Sequence, residues 1–244
     1  MRRLIVAGLA VLALYANQAW AQSHRVHYTL LEQPVRALPK KILLLPVEIT
    51  VKELSAGWVP EKVPEWTKLA SDNVAREMGA LAAARGDFEL VKLPELTPEE
   101  QDLLEEHLGI YFQVALSAHR LTATAVQGWE HKRQRFDYTV GDGLKFLRQK
   151  TGADAALMVI GEDVVSSGGR KAAFVLGALV GVGIPMGQSL LSVGVVTLEE
   201  GDLLWMHNDF SVAKDLKDAQ AVREMLKTIM AVYPGLPAPK PAAK

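Results

Sequence analysis

Six histidines are the side chains in this sequence best suited to bind a metal ion or to transfer protons. A helical zinc site places two ligands three or four residues apart on one face. None of the six has a second ligand at that spacing on a predicted helix. His24 and His27 lie in a polar N-terminal segment, where such a pair is usually incidental, and His207 stands alone in a predicted strand. The sequence therefore predicts no metal site. The histidines are His24, His27, His107, His119, His131 and His207.

The hydroxyl and glycine motifs do not match catalytic or nucleotide-binding loops. Ser166 and Ser167 lie outside the Gly-x-Ser-x-Gly pattern of a nucleophile elbow. Gly181-Val182-Gly183 is followed by no Gly-Lys-Ser/Thr and lacks the glycine spacing of a dinucleotide fold. We therefore expect no cofactor and no catalysis. A periplasmic hydrolase built from residues distant in sequence is the least favoured alternative.

Residues 128–139 interleave basic and aromatic side chains. Basic groups beside aromatic rings can bind phosphates and stack on bases, which makes Trp129, Arg133 and Arg135 candidate interaction residues. In an exported chain their ligands would be lipid headgroups or cell-wall polymers. The same composition is typical of a solvated connector whose aromatic rings are buried beneath it and whose cationic side chains cover apolar surface. The connector is the favoured interpretation.

A long stretch without charge covers residues 172–198. It exceeds the roughly 20 residues that span a bilayer, but Pro185 and several glycines lower its helix propensity, and residues from Ser189 onward have a strand pattern. We predict that residues 172–186 form a short apolar helix or hairpin that projects from the sheet and contacts a membrane surface or a second copy without crossing. A spanning segment over 172–198 is the alternative. The candidate contact residues are Phe174, Val175, Leu176, Leu179 and Val180.

The N-terminus has the three parts of a secretory signal peptide. Arg2-Arg3 precedes the apolar run 4–16, and Ala19 and Ala21 are the small residues that a signal peptidase recognises. This pattern predicts cleavage before Gln22 and export to the periplasm. Because no cysteine follows the apolar run, we expect no lipid anchor there and at most a peripheral association with the outer membrane.

The overall composition excludes several classes of function. The formal net charge is −1, so there is no electrostatic argument for binding nucleic acid. The chain contains 0 cysteines, which excludes disulfides and thiolate metal sites. With 49% hydrophobic residues, one domain with a substantial core is expected.

Apolar periodicity predicts how these segments are positioned. Alternation predicts strands and a three- to four-residue spacing predicts helices. Pro46 should lie at a bulge or an unpaired edge, and Asp154 should bind turn amides at the start of a central strand. The predicted strands are 41–54, 88–93, 153–165, 189–198 and 202–212, and the predicted helices are 65–84, a long one opened by a Thr97/Glu100 capping box, 142–150 and 215–233. The acidic residues that follow Thr97 are explained by the helix dipole without a metal.

This order predicts an α/β (α+β) fold with a mixed sheet of about five strands and helices packed on it. The expected order is β-α-β-α-α-β-β-β-α, with the apolar glycine-rich insertion between the third and fourth strands. The predicted organisation is a signal peptide at 1–21, an extended arm at 22–40, a single domain at 41–236 and a proline-rich flexible tail at 237–244.

Three stretches resemble parts of a known envelope domain. They are Thr151-Gly152-Ala153-Asp154-Ala155 before the central strand, residues 161–169 leading into the insertion, and the hairpin of residues 195–205. Together with the element order, they resemble the α/β domain shared by the curli secretion channel CsgG, the penicillin-binding-protein activator LpoB and the N-terminal domain of TolB. The absence of an N-terminal cysteine departs from the lipoprotein members of that family.

The resemblance implies a non-catalytic accessory or structural factor in cell-envelope assembly or secretion. Such a protein would act through contacts with other envelope proteins or with a membrane surface. Self-association is left open. A membrane-embedded protein that uses residues 172–198 as its span is the alternative.

Overall fold

The computed structural model of the protein describes residues 22–32, 38–55, 57, 59–122, 129–169, 187–212 and 215–235. Within these residues, eight strands form one open mixed sheet, and helices pack on both of its faces. The mixed α/β fold predicted from the apolar periodicity is therefore confirmed.

The described part of the chain has more strands than the sequence predicts. The strands are β1 (Gln22–Val26), β2 (Lys41–Leu44), β3 (Glu48–Leu54), β4 (Pro60–Lys62), β5 (Glu89–Val91), β6 (Ala155–Ser166), β7 (Gln188–Thr197) and β8 (Leu203–Val212). The helices are α1 (Tyr28–Glu32), α2 (Pro64–Arg85), α3 (Pro98–Thr122), α4 (Glu130–Gln134), α5 (Lys145–Thr151) and α6 (Ala219–Met230).

Strand β6 is the centre of the sheet. The strand order is β1-β8-β7-β6-β2-β5, and β3 pairs with β6 beyond the end of β2. β6 is antiparallel to β7 and parallel to β2 and β3. Residues 155–159 are all buried, because helices cover both faces of the sheet at this point. A strand buried on both faces is continuously apolar, which is why the sequence identified it correctly.

Pro46 interrupts the strand that runs along β6. Leu44 is opposite Leu157, but Glu48 is opposite Ile160. The chain therefore advances four residues from Leu44 to Glu48, while β6 advances three from Leu157 to Ile160. The extra residue forms a β-bulge. Proline has no N–H to donate to the ladder, so the predicted single strand is divided into β2 and β3.

The two faces of the sheet carry separate cores. On one face, here called the α2 face, α2 and α6 pack on the sheet through residues such as Met78 and Leu226, next to the fully buried Trp205. On the other, the α3 face, α3 and α5 pack through residues such as Tyr111 and Leu147. The domain therefore has three layers, with the sheet in the middle.

Short-range signals place the ends of the helices. The Thr97 N–H donates to Glu100 Oε2 at 2.9 Å and the Glu100 N–H donates to Thr97 Oγ1 at 3.3 Å, which confirms the capping box. Gly86 and Gly152 end α2 and α5 in the left-handed conformation, with φ of 69° and 67°. Asp154 Oδ2 accepts the N–H groups of Lys40 and Lys41, both at 3.1 Å, as predicted for the start of the central strand.

The N-terminal segment differs from the predicted arm. Residues 22–26 form β1, which pairs antiparallel with β8 from Gln22–Asp209 to Val26–Trp205, and α1 buries Leu30. His27 is also buried and bonds through Nδ1 to Thr29 Oγ1 at 2.8 Å. The arm is thus an edge strand and a short helix of the domain. Five residues are too few to show a period, and the partner strand lies about 180 positions away.

The remaining strand that the sequence missed is β4, inside the predicted loop of residues 55–64. It pairs with the end of β3, with Lys62 opposite Lys52. Several predictions lie outside the described residues: the signal peptide with Ala19 and Ala21, the projecting segment 172–186, and the tail 237–244. Gln22, the predicted first residue after cleavage, is the first residue of β1.

Candidate functional site

The edge of the described sheet at β5 is an open strand edge. β5 pairs with β2 in parallel, from Lys41–Glu89 to Leu43–Val91, and it is the last strand in the order. The Glu89 N–H donates to Lys40 O at 2.8 Å, so Glu89 directs its backbone toward β2. Successive residues of a strand direct their backbone groups to opposite sides. The N–H and C=O of Leu90 therefore point outward, where another extended chain can pair with them.

An apolar groove lies beside this edge, with a cavity volume of about 680 Å³. One wall is the last two turns of α2, and the other is β5 with the segment that follows it. The side chains are mostly aliphatic, and Glu89 and Lys92 provide the charges. The lining residues are Leu44, Gly79, Ala82, Ala83, Gly86, Phe88, Glu89, Leu90, Val91, Lys92 and Leu93. We call this cavity the β5 groove.

Small residues on α2 keep the β5 groove open. Gly79 lies in the interior of the helix, and a Cβ added there would contact nothing within 4 Å. A helix-interior glycine costs about 1 kcal/mol relative to alanine. Packing does not require Gly79, so its consequence here is space in the groove. Ala83, which is exposed, has the same effect on the next turn.

Arg85 holds the end of the β5 groove in place. Its guanidinium pairs with Asp87 at 2.6 Å, donates to Met230 O at 2.6 Å and lies 5.2 Å from the ring centroid of Tyr233. Phe88 packs edge-on against the same tyrosine, with ring centroids 5.7 Å apart. The contacts join the ends of α2 and α6 to the start of β5. Burial raises the pKa of Tyr233, so the tyrosine stays neutral.

The three described candidate residues from the basic and aromatic segment lie elsewhere, next to β1 at the opposite edge of the sheet. Trp129 is 52% exposed, and its ring is stacked with that of His131. Arg133 pairs with Glu130 at 3.1 Å. Arg135 lies over the ring of Tyr28 at 3.7 Å and 3.8 Å from Asp137.

Both arginines therefore have partners within the chain, and Phe136 is buried beneath the segment. These contacts favour the connector interpretation of residues 128–139. The other candidate residues, Phe174, Val175, Leu176, Leu179 and Val180, lie outside the described residues. The β5 groove was not identified from the sequence; helix-interior Gly79 was the signal that could have indicated it.

One buried carboxylate was also missed. Asp163 is 2% exposed on β6. Its Oδ1 accepts the Ser189 hydroxyl at 2.6 Å, and its Oδ2 accepts the Leu216 N–H at 3.1 Å. Desolvation raises the pKa of this carboxyl group, and the two hydrogen bonds oppose that change. The serine and aspartate thus tie β6, β7 and the start of the segment before α6 together.

The raised pKa of Asp163 predicts a pH-dependent stability. An unfolded aspartate has a pKa of about 3.9, so the folded state binds the proton more tightly. The stabilisation from protonated Asp163 is complete below the pKa of the unfolded state. It is lost, by up to about 1.4 kcal/mol per pH unit, as the pH rises from that value to the pKa of the folded state. An asparagine side chain at this position can accept from Leu216 and donate to Ser189 without a charge. We therefore expect Asp163→Asn to gain stability relative to the native chain as pH rises from 4 to 8.

Urea unfolding at pH values from 4 to 8 measures this difference. Asp163→Leu is the control, because it removes the acceptor of the buried Leu216 N–H and should be destabilised throughout that range. A constant difference between the native chain and Asp163→Asn would show that the carboxyl group has the same pKa in both states.

The described residues contain neither a metal-binding cluster nor a membrane-spanning helix. No group of three or more histidine, cysteine, aspartate or glutamate side chains there is arranged to hold a metal ion. No helix among these residues combines the length and the apolar character needed to cross a membrane.

Comparisons with known proteins give little similarity. No protein-family model matches the chain, and no curated protein matches it. Among solved structures, the chain is similar to the PelC dodecamer from Paraburkholderia phytofirmans, with 9% sequence identity and a TM-score of 0.33, over 85% of this chain and 95% of that one. A TM-score of this size is too low to indicate a shared fold or function. The resemblance to the CsgG, LpoB and TolB domain stays a prediction.

Proposed function

We propose that the protein is an exported, non-catalytic accessory or structural factor of the cell envelope that acts in the periplasm by binding another envelope protein. The main support for this proposal is the open edge of β5 beside the apolar β5 groove. The signal-like N-terminus supports the compartment, and the resemblance to envelope domains supports the class of role.

The proposed contact is β-augmentation. An extended segment of the partner pairs with the outward backbone groups of Leu90 and places alternate apolar side chains in the β5 groove. Backbone pairing contributes affinity, and the groove selects the side chains. β5 is short, and natural proteins often shorten edge strands to prevent unspecific pairing. A three-residue edge offers few backbone hydrogen bonds, so binding would also require side chains that fit the β5 groove. Only a specific segment would therefore bind.

A site-specific cross-link tests this proposal. A photoreactive side chain at the exposed position Lys92, in protein produced in its own host, should give one adduct with an envelope protein. Ala83→Arg should reduce this adduct by about tenfold, corresponding to about 1.4 kcal/mol, because it places a long charged chain in the groove. Ala84→Arg is the matched control, since Ala84 is exposed on the same turn and does not line the groove.

Equal adducts from the Ala83→Arg and Ala84→Arg variants, or no adduct from either, would contradict the proposal. An adduct with a second copy of the chain would replace the envelope partner with self-association. N-terminal sequencing of the same material checks export, because the expected first residue is Gln22.

The alternative of a spanning segment over residues 172–198 conflicts with the sheet. Residues 188–197 form β7, which pairs with both β6 and β8. A helix through these residues would remove a central strand. Contact of residues 172–186 with a membrane surface stays a prediction.

A further inference from the structure

A second groove lies on the α3 face and has no lining residue in common with the β5 groove. It consists of two cavities, of about 420 Å³ and 350 Å³. Phe112 of α3 lines both cavities, so they adjoin at its side chain. We call the two cavities together the α3 groove.

The floor of the α3 groove is an apolar part of the sheet that α3 does not fully cover. Leu190 is opposite both Glu162 and Phe210 in the strand pairing, and paired residues point to the same face. Leu190 and Phe210 are half-buried, as are Ile160, Val164 and Phe112. Half-buried apolar side chains from three strands and one helix thus lie on this face beside Glu162 and form a surface that a partner could cover.

Three carboxylates line the α3 groove together with these apolar side chains. Glu48 and Glu105 line the first cavity and Glu162 lines the second. Lys52 pairs with Glu162 at 2.6 Å. Among the described residues, Glu48 and Glu105 are exposed and have no basic side chain within ion-pair distance. The rim of the groove therefore carries uncompensated negative charge.

Gly109 leaves space in the α3 groove. It lies in the interior of α3, lines the groove and is exposed, and a Cβ added to it would contact nothing within 4 Å. Neither backbone conformation nor close packing requires glycine at this position of a helix. The missing side chain leaves a gap beside Phe112 that would admit an apolar side chain of a partner.

We propose that the α3 groove docks an amphipathic segment of a partner protein that carries lysine or arginine beside its apolar side chains. The apolar residues contact Phe112, Ile160 and Leu190, and the basic residues pair with Glu48 and Glu105. The charge of the rim is the reason for choosing a basic partner, since an acidic or purely apolar segment would leave these carboxylates repelled or desolvated. This surface does not depend on the proposed pairing at β5.

A designed peptide tests the docking. The probe is a fluorescent 18-residue amphipathic peptide of leucine and lysine, and the control is its leucine and glutamate counterpart with the same apolar pattern. Fluorescence anisotropy with the purified chain should show binding of the lysine peptide, weakened by 0.5 M NaCl, and at least about tenfold weaker binding of the glutamate peptide.

Three variants distinguish binding of the peptide in the α3 groove from nonspecific electrostatic attraction to the protein. Gly109→Trp should weaken binding of the lysine peptide by about tenfold or more by filling the gap. Ser117→Trp should leave binding unchanged, because Ser117 is exposed and lies about 140° around the helix from Phe112. The double variant Glu48→Lys, Glu105→Lys should reverse the preference, so that the glutamate peptide binds more tightly. Circular dichroism confirms that each variant is folded.

Equal affinity for the two peptides, or an unchanged affinity of Gly109→Trp, would overturn the proposal. An absence of binding to the native chain would do the same, because the groove would then be covered by the chain itself. Sedimentation of the protein alone provides the last check. A change in its association state in the charge-reversed variant would assign the groove to a second copy and overturn the choice of a partner protein.

Discussion

We expect Gly194→Val to be destabilised by roughly 3 kcal/mol or to fail to fold, at the upper end of the cost of overpacking a core. Gly194 is buried in β7, where a Cβ would lie 2.5 to 2.8 Å from two ring atoms and the hydroxyl oxygen of Tyr111. The ring cannot move away easily, because it is fully buried and its hydroxyl is hydrogen-bonded to Ser192 at 2.9 Å. Burial raises the pKa of Tyr111, so the hydroxyl stays protonated.

A double-mutant cycle measured by urea unfolding tests this cause. Tyr111→Ala alone should lose roughly 3–5 kcal/mol, as for other large-to-small changes of buried aromatic residues. In the Tyr111→Ala background, Gly194→Val should cost less than about 1 kcal/mol, because the added methyl groups enter the cavity. If the two losses simply add, contact with Tyr111 is not the reason for glycine at position 194.

The second large effect is expected at the turn between β7 and β8. Gly201 has φ of 73°, and a Cβ there would lie 1.9 Å from Gly141 O. The loop around Gly141 runs along this turn, since the Val140 N–H donates to Gly201 O at 2.9 Å. Gly201→Ala therefore combines left-handed strain of about 1–2 kcal/mol with a backbone clash. We expect a total loss of about 3 kcal/mol or more.

Gly152 provides the matched control for Gly201. Its φ is 67°, and a Cβ there would contact nothing within 4 Å. Gly152→Ala should therefore cost only the left-handed strain, about 1–2 kcal/mol. Thermal and urea unfolding of both variants give the comparison. Equal losses at the two positions would mean that the turn tolerates displacement of the neighbouring loop.

Several structural features of this protein depend on residues close together in the sequence, and the sequence was sufficient to identify them. The capping box of Thr97 and Glu100 and the glycine ends of α2 and α5 are formed within a few residues, so local sequence is sufficient for them. The central strand β6 was identified because burial on both faces demands a continuous apolar run. Pro46 marked the interruption between β2 and β3 because its missing N–H has the same effect in any sheet.

Contacts between distant segments were decided only by the tertiary structure. β1 carries too few residues to show a period and becomes a strand through pairing with β8. Asp163 follows Glu162 in a mostly apolar strand, and its hydrogen-bond partners, Ser189 and the Leu216 N–H, are 26 and 53 positions away.

The two grooves also depend on both the local sequence and the tertiary structure. Gly79 and Gly109 are visible in the sequence as glycines within predicted helices, but the space beside them exists only where a helix and part of the sheet enclose it. Local hydrogen bonding and apolar periodicity therefore predicted the helix ends and the central strand in advance. The packing of segments far apart in sequence decided which side chains are buried, which charges have partners and where a partner can bind.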